Sequence, residues 1–201
     1  MRVSHIIIKE NKFFTECEKK MEKKSSIHKI ALIGVMTAIT CILGPLSIPI
    51  GIVPISLTTF AVFITVILLG WKMGTISYLV YLLVGLAGIP VFSGFSSGFG
   101  KLAGPTGGYL IGFIFLAIIS GIFIDKFRRK VYMYVIGMLL GTVVLYVFGT
   151  AWLAIHLHLS FRAALAVGVI PFIPGDIAKI AAAVVVGPIV KRQLIKAKVI
   201  I

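Results

Sequence analysis

Acidic side chains are scarce in this chain. Six Asp and Glu stand against 20 Lys and Arg in 201 residues, and four of the six, Glu10, Glu16, Glu18 and Glu22, fall in the first 26 residues. The remainder of the chain has only Asp125 and Asp176, which excludes the paired carboxylates of acid–base catalysis. No Ser/His/Asp arrangement and no His/Glu cluster occurs in the apolar runs, so the usual equipment for hydrolysis or metal chemistry is missing, and no cofactor or metal is expected. His156 and His158 diverge on a helix and have no further ligands beside them. Of the two cysteines, Cys17 lies in a charged segment and Cys41 in an apolar run, which implies no disulfide framework. Internal repeats and a signal peptide with a cleavage site are also absent.

What the chain has instead is apolar length. Hydrophobic residues make up 59% and charged residues 13%, and the mean hydropathy of +1.11 places it with polytopic membrane proteins. The net charge of +14 does not point to nucleic acid, because the basic residues sit in short segments between apolar runs rather than on one face of a soluble fold. A membrane-crossing helix needs about 20 apolar residues. Six runs qualify: 27–46, 56–70, 73–89, 106–124, 131–155 and 174–190, the second borrowing from residues 53–55 to span.

With the N-terminus inside, 17 of the 20 Lys and Arg fall on inner segments, against Lys101 and Arg162 outside and Lys179 within the membrane. That asymmetry would collapse if one helix were missing. The expected fold is therefore an all-α integral membrane protein with six transmembrane helices and both termini cytoplasmic. Residues 1–26 form an N-terminal tail, artefactual upstream of Met21 if the native start is there. Residues 27–190 form the membrane domain, and 191–201 a basic C-terminal tail. Inner turns are short, whereas the outer segments 47–55, 90–105 and 156–173 are long and rich in Pro, Gly and aromatics, as functional loops are.

The most informative stretch is Pro171-Phe172-Ile173-Pro174-Gly175-Asp176-Ile177-Ala178-Lys179, because Asp176 and Lys179 are an acid and a base inside a spanning segment. An ionisable group there costs roughly 2.5 to 3.5 kcal/mol on insertion scales, so it marks a functional site by default. Pro174 suits a first helical turn, which places Asp176 in that turn and Lys179 three residues on, on the same face at the outer end of helix 6. The competing reading is a pair that only locks two helices.

Gly94-Phe95-Ser96-Ser97-Gly98-Phe99-Gly100-Lys101 fails as a phosphate-binding loop, since Phe95 and Leu102 stand where Gly and Ser or Thr are required. Lys101 is nonetheless the cation of that loop, available to an anionic group or to the membrane interface. Gly104-Pro105-Thr106-Gly107-Gly108-Tyr109 opens helix 4 with small residues that admit close approach, and Tyr109 offers a hydroxyl or a ring face. Ala31, Gly34 and Ala38 share one face of helix 1, a small-residue stripe suited to close helix contact within the bundle or with a partner. Asp125 beside Lys126 reads as a solvated inner turn.

Over approximately residues 27–190 the chain resembles the BioY family, the biotin-specific substrate-binding S components of energy-coupling-factor (ECF) vitamin importers. The resemblance rests on Gly85-Leu86-Ala87-Gly88-Ile89-Pro90-Val91-Phe92, on Gly104-Pro105-Thr106-Gly107-Gly108-Tyr109-Leu110-Ile111-Gly112-Phe113, and on the Pro171 to Lys179 stretch. Val53-Pro54-Ile55-Ser56-Leu57-Thr58 resembles the first outer loop, with Ser56 and Thr58 in place of the family's Thr and Gln. It implies a six-helix S-component fold in the cell membrane, holding biotin near the outer surface. Asp176 and Lys179 correspond to the family's acid and base, Lys101 to its loop cation, and Phe92, Tyr109 and Trp152 are candidates to cover the rings. It further implies docking through Ala31, Gly34 and Ala38 to a transmembrane coupling subunit, which works with ATPase subunits. A small membrane enzyme acting on lipid or prenyl groups is the alternative, and would need clustered acids or a nucleophile with its base.

Overall fold

Helix is the economical answer for so apolar a chain, because it satisfies backbone N–H and C=O groups within each segment, as a bilayer requires. The computed structural model describes residues 27–49, 53–127 and 131–197. The N-terminal tail with Met21 and Cys17, the basic residues Arg128, Arg129 and Lys130, and Lys198 near the C-terminus lie outside the described residues. The elements run α1 (Ile27–Leu43), β1 (Ser47–Ile48), β2 (Ile55–Ser56), α2 (Thr58–Leu86), α3 (Phe99–Ala103), α4 (Gly107–Lys126), α5 (Val131–Leu157), α6 (Phe161–Gly168), a 3-10 turn (Ile170–Phe172) and α7 (Ile173–Lys196).

The second and third apolar runs fall on α2, which is broken at Gly70. That residue has φ 80° and ψ 178°, a conformation essentially reserved for glycine. The chain doubles back there: a Cβ on Gly74 would lie 2.8 Å from Cγ1 of Val66, although eight residues of continuous helix would separate the two by about 12 Å. The two arms, 58–69 and 71–86, thus form a tight antiparallel hairpin.

Asp125 closes this hairpin. A Cβ on Gly121 would come within 2.6 Å of Trp71 Cα, so only glycine lets α4 approach the start of the second arm this closely. One turn later on the same face, Asp125 Oδ2 accepts from the Trp71 N–H at 2.9 Å. The sequence expectation of a merely solvated Asp125 is thereby corrected: its carboxylate caps a neighbouring helix.

α4 packs most extensively on α5 and then on α2. Glycines set the α4–α5 distance, Gly112 lying against Leu145 and Gly141 against Leu116. Among the described residues, four helical stretches are long and apolar enough to cross a membrane: Thr58–Leu86, Gly107–Lys126, Tyr132–Leu157 and Phe161–Lys196; α1 is apolar but shorter. Val143 and Val147 on α5 and Val185 and Ile189 on α7 are exposed, as lipid-facing side chains are. Helix also occurs where loops were expected, in α3 and in α6, whose N-cap Ser160 accepts from the Ala163 N–H. α7 continues beyond residue 190 to Lys196. His158 has φ 52°, and the next residue, Leu159, donates its N–H to Ala154 O at 3.0 Å, so His158 serves as the left-handed residue ending α5.

Candidate functional site

The site is built on the first turn of α7. Pro174 lies in that turn and Asp176 follows it, near backbone N–H groups whose dipole favours a carboxylate. Asp176 is buried, at 5% exposure. Lys179 Nζ donates to its Oδ1 at 2.9 Å, the i,i+3 pairing that the spacing predicts. Tyr146 from α5 donates its hydroxyl to Oδ2 at 2.6 Å. Each carboxylate oxygen therefore holds one bond and keeps the capacity to accept a second.

Beside this triad lies a cavity with about 610 Å³ of space free of atoms, counted out to its mouth. Asp176, Lys179, Tyr146 and Phe172 form one wall. Val53, Pro54, Ser56 and Thr58, around the β1–β2 hairpin, contribute another, and Tyr81, Tyr109, Leu110 and Phe113 supply apolar and aromatic surface. Ser93, Lys101 and Thr106 reach it from the segment ahead of α4. An apolar chamber with a few convergent polar groups is the usual form of a small-molecule site. Ser56 Oγ donates to Thr58 Oγ1 at 3.0 Å, so both hydroxyls of the first outer loop stand at the cavity.

The Lys101 side chain makes no ion pair or hydrogen bond with a described residue. Burial lowers its pKa from the ordinary lysine value, because desolvation penalises the charged form. An anionic ligand group would restore that charge.

The structure brings Asp176, Lys179, Lys101 and Tyr109 together around one cavity. Tyr109 presents its ring there, while its hydroxyl donates to Gly168 O at 2.8 Å and ties down the end of α6. Gly149 makes room for that ring: a Cβ there would lie 2.3 Å from its edge. The other two ring candidates do not line this cavity. Phe92 is fully buried behind the cavity, edge-on to Tyr81 with centroids 5.7 Å apart and pressed on Gly85. Trp152 stands on the outside of α5, where its Nε1 donates to Gly104 O at 2.9 Å and fastens the α3–α4 connection. Tyr146 was missed in the sequence. Its signal was a phenol in mid-helix, which needs a hydrogen-bond partner when buried in an apolar environment.

Ala31, Gly34 and Ala38 are exposed on α1, and a Cβ on Gly34 would meet nothing within 4 Å. The opposite face holds the bundle, with Thr37 Oγ1 bonded to Ser77 O at 3.1 Å and Met36 packed against Leu68 and Leu69.

The family model described as "BioY family" matches residues 19–196. The chain belongs to the BioY family. Among curated relatives, a protein of Pyrococcus horikoshii named "Probable biotin transporter BioY" is 39% identical over 79% of this chain and 93% of its own. The "Biotin transporter BioY" of Thermotoga maritima is 36% identical over 79% and 93%. Among solved structures, the S-component for biotin from an ECF-type ABC transporter superposes with a TM-score of 0.78 at 32% identity, covering 85% of this chain and 94% of that one. These matches thus span more than nine tenths of each relative and about four fifths of this chain.

Proposed function

We propose that this chain is the biotin-binding S component of an ECF-type importer in the cell membrane, without enzymatic activity of its own. One observation carries the proposal: a buried carboxylate, already paired with Lys179 and Tyr146, stands in a cavity to which Lys101 contributes a cation whose side chain has no partner among the described residues. Biotin's ureido group offers two N–H donors and a carbonyl, its bicycle is apolar and its tail is a carboxylate. Asp176 accepts from ureido N–H, Lys179 meets the carbonyl, and Lys101 takes the carboxylate. Tyr109 gives a ring face to the bicycle. Charge-assisted bonds of this kind contribute about 1.5 to 3 kcal/mol each when desolvated.

The bundle crosses the membrane six times, the two arms of α2 counting separately, with both termini cytoplasmic and residues 27–190 as the membrane domain. The charge asymmetry supports this, and it turns the cavity outward. ATP hydrolysis belongs to partner subunits, and the exposed Ala31, Gly34 and Ala38 face docks the coupling subunit. A lipid-modifying enzyme that works through clustered acids would need a second carboxylate at the cavity, and among the described residues Asp176 is the one acid that lines it.

Calorimetry on the purified chain in detergent tests the reading: biotin binds tightly with no nucleotide present. Absence of heat and of a thermal shift in a monodisperse sample would count decisively against it. Gly34→Leu keeps that heat but no longer co-purifies with the coupling subunit; loss of both would make the face internal packing.

A further inference from the structure

The far end of α7 carries a second depression, about 1400 Å³ counted out to its wide mouth. Its floor is apolar, with Leu68, Leu69, Met73 and Pro188, and its rim is basic. Two of its polar groups are already engaged. Lys191 Nζ donates to Ile67 O at 2.7 Å, at the end of the first arm of α2, and Asp125 accepts from the Trp71 N–H. Arg192 and Lys196 also line it and are exposed, and their side chains make no ion pair or hydrogen bond with a described residue.

Four residues apart, Arg192 and Lys196 stand on one helix face, where like charges repel. Asp176, the other acid among the described residues, is about 24 Å away along α7. Asp125 brings one negative charge to the depression against the three positive charges of Lys191, Arg192 and Lys196, which leaves it net positive. The same face continues toward the middle of the helix as Ile189 and Val185, which are 57% and 62% exposed. An apolar stripe thus leads directly into two exposed cations, with the 4, 3, 4 spacing of a single helical face.

We propose that this groove binds an anionic phospholipid. The phosphate sits between Arg192 and Lys196, the glycerol region rests on Leu68, Leu69 and Ile195, and an acyl chain lies along Ile189 and Val185. A free phosphate would use the two cations but not the stripe, and an acidic peptide would gain nothing from a stripe that faces lipid. Basic pockets of this kind on the cytoplasmic side recognise lipid headgroups.

The test is native mass spectrometry of the full chain, freed of lipid and offered equal amounts of phosphatidylglycerol and phosphatidylcholine. With each basic residue near the surface contributing about fivefold, the intact chain retains phosphatidylglycerol about 30-fold better. In Arg192→Gln with Lys196→Gln the preference falls to near unity, while elution and melting temperature in lipid-free detergent stay the same. Equal retention of the two lipids by the intact chain would overturn the proposal. So would an undiminished preference in the double variant, or displacement of the lipid by inorganic phosphate alone, which would mark a free-anion site. Loss of coupling-subunit binding in the variant, with lipid preference intact, would assign the groove to that protein instead.

Discussion

Asp176 and Asp125 are the two acids among the described residues, and each lies beside the first turn of a helix, yet they do different things. Asp125 reaches across from α4 to the N–H of Trp71, next to a glycine with φ 80°, and so closes the α2 hairpin. Asp176 lies in the first turn of its own helix, held by Lys179 and Tyr146 at the wall of a largely apolar cavity. A lone acid in an apolar chain is therefore not by itself a binding site. What separates the two is the company: Asp125 meets a backbone donor that needed capping, whereas Asp176 is grouped with cations and a phenol that no turn requires.

The comparison is broken most strongly from the Asp176 side. Asp176→Asn keeps the shape but presents a donor to a donor and removes the counter-charge of Lys179. Biotin affinity should drop by about 2 to 4 kcal/mol, or roughly 30-fold to 1000-fold, by calorimetry. An unchanged affinity would make the pair a helix lock.

Gly70→Ala should have the opposite profile. A Cβ there would lie 2.7 Å from Asp125 Oδ2 at a φ that L side chains avoid. The variant should lose about 1 to 3 kcal/mol of stability, read as a lower melting temperature, with biotin affinity little altered. Loss of affinity without loss of stability would mean that the two ends of the bundle are coupled.

The smallest effect concerns Lys101. Burial lowers its pKa, so the empty site loses this ammonium at a pH below the ordinary lysine value of 10.5. Ligand carboxylate requires the charged form, so affinity should be flat near neutrality and fall as pH rises through the lowered pKa. In Lys101→Arg the guanidinium stays charged throughout, and the fall attributable to this residue should vanish. A fall of the same size in that variant would exclude Lys101 as its source.

Much of this was legible in the sequence because lipid imposes strong rules. The apolar runs fall on helices, and the Pro174, Asp176, Lys179 spacing is enough to put an acid and a base together on the first turn of α7. The placement of Tyr146 was not legible: α5 is apolar on all sides, so nothing local says which face turns to α7. The positions of Phe92 and Trp152 away from the cavity lining were not legible for a related reason. Gly85 and Gly108 open the pockets that receive them, and such cross-chain matches have no sequence spacing. The role of Asp125 was hidden similarly, since the N–H that it caps is 54 residues away.

The most direct test of the central claim is the double variant Asp176→Leu with Lys179→Met. Apolar replacement of a buried pair is often neutral or stabilising, so the protein should insert and fold with a melting temperature close to that of the parent chain. Titrated with biotin in the calorimeter, it should give no heat. Near-normal biotin affinity in that variant would contradict the assignment of the site.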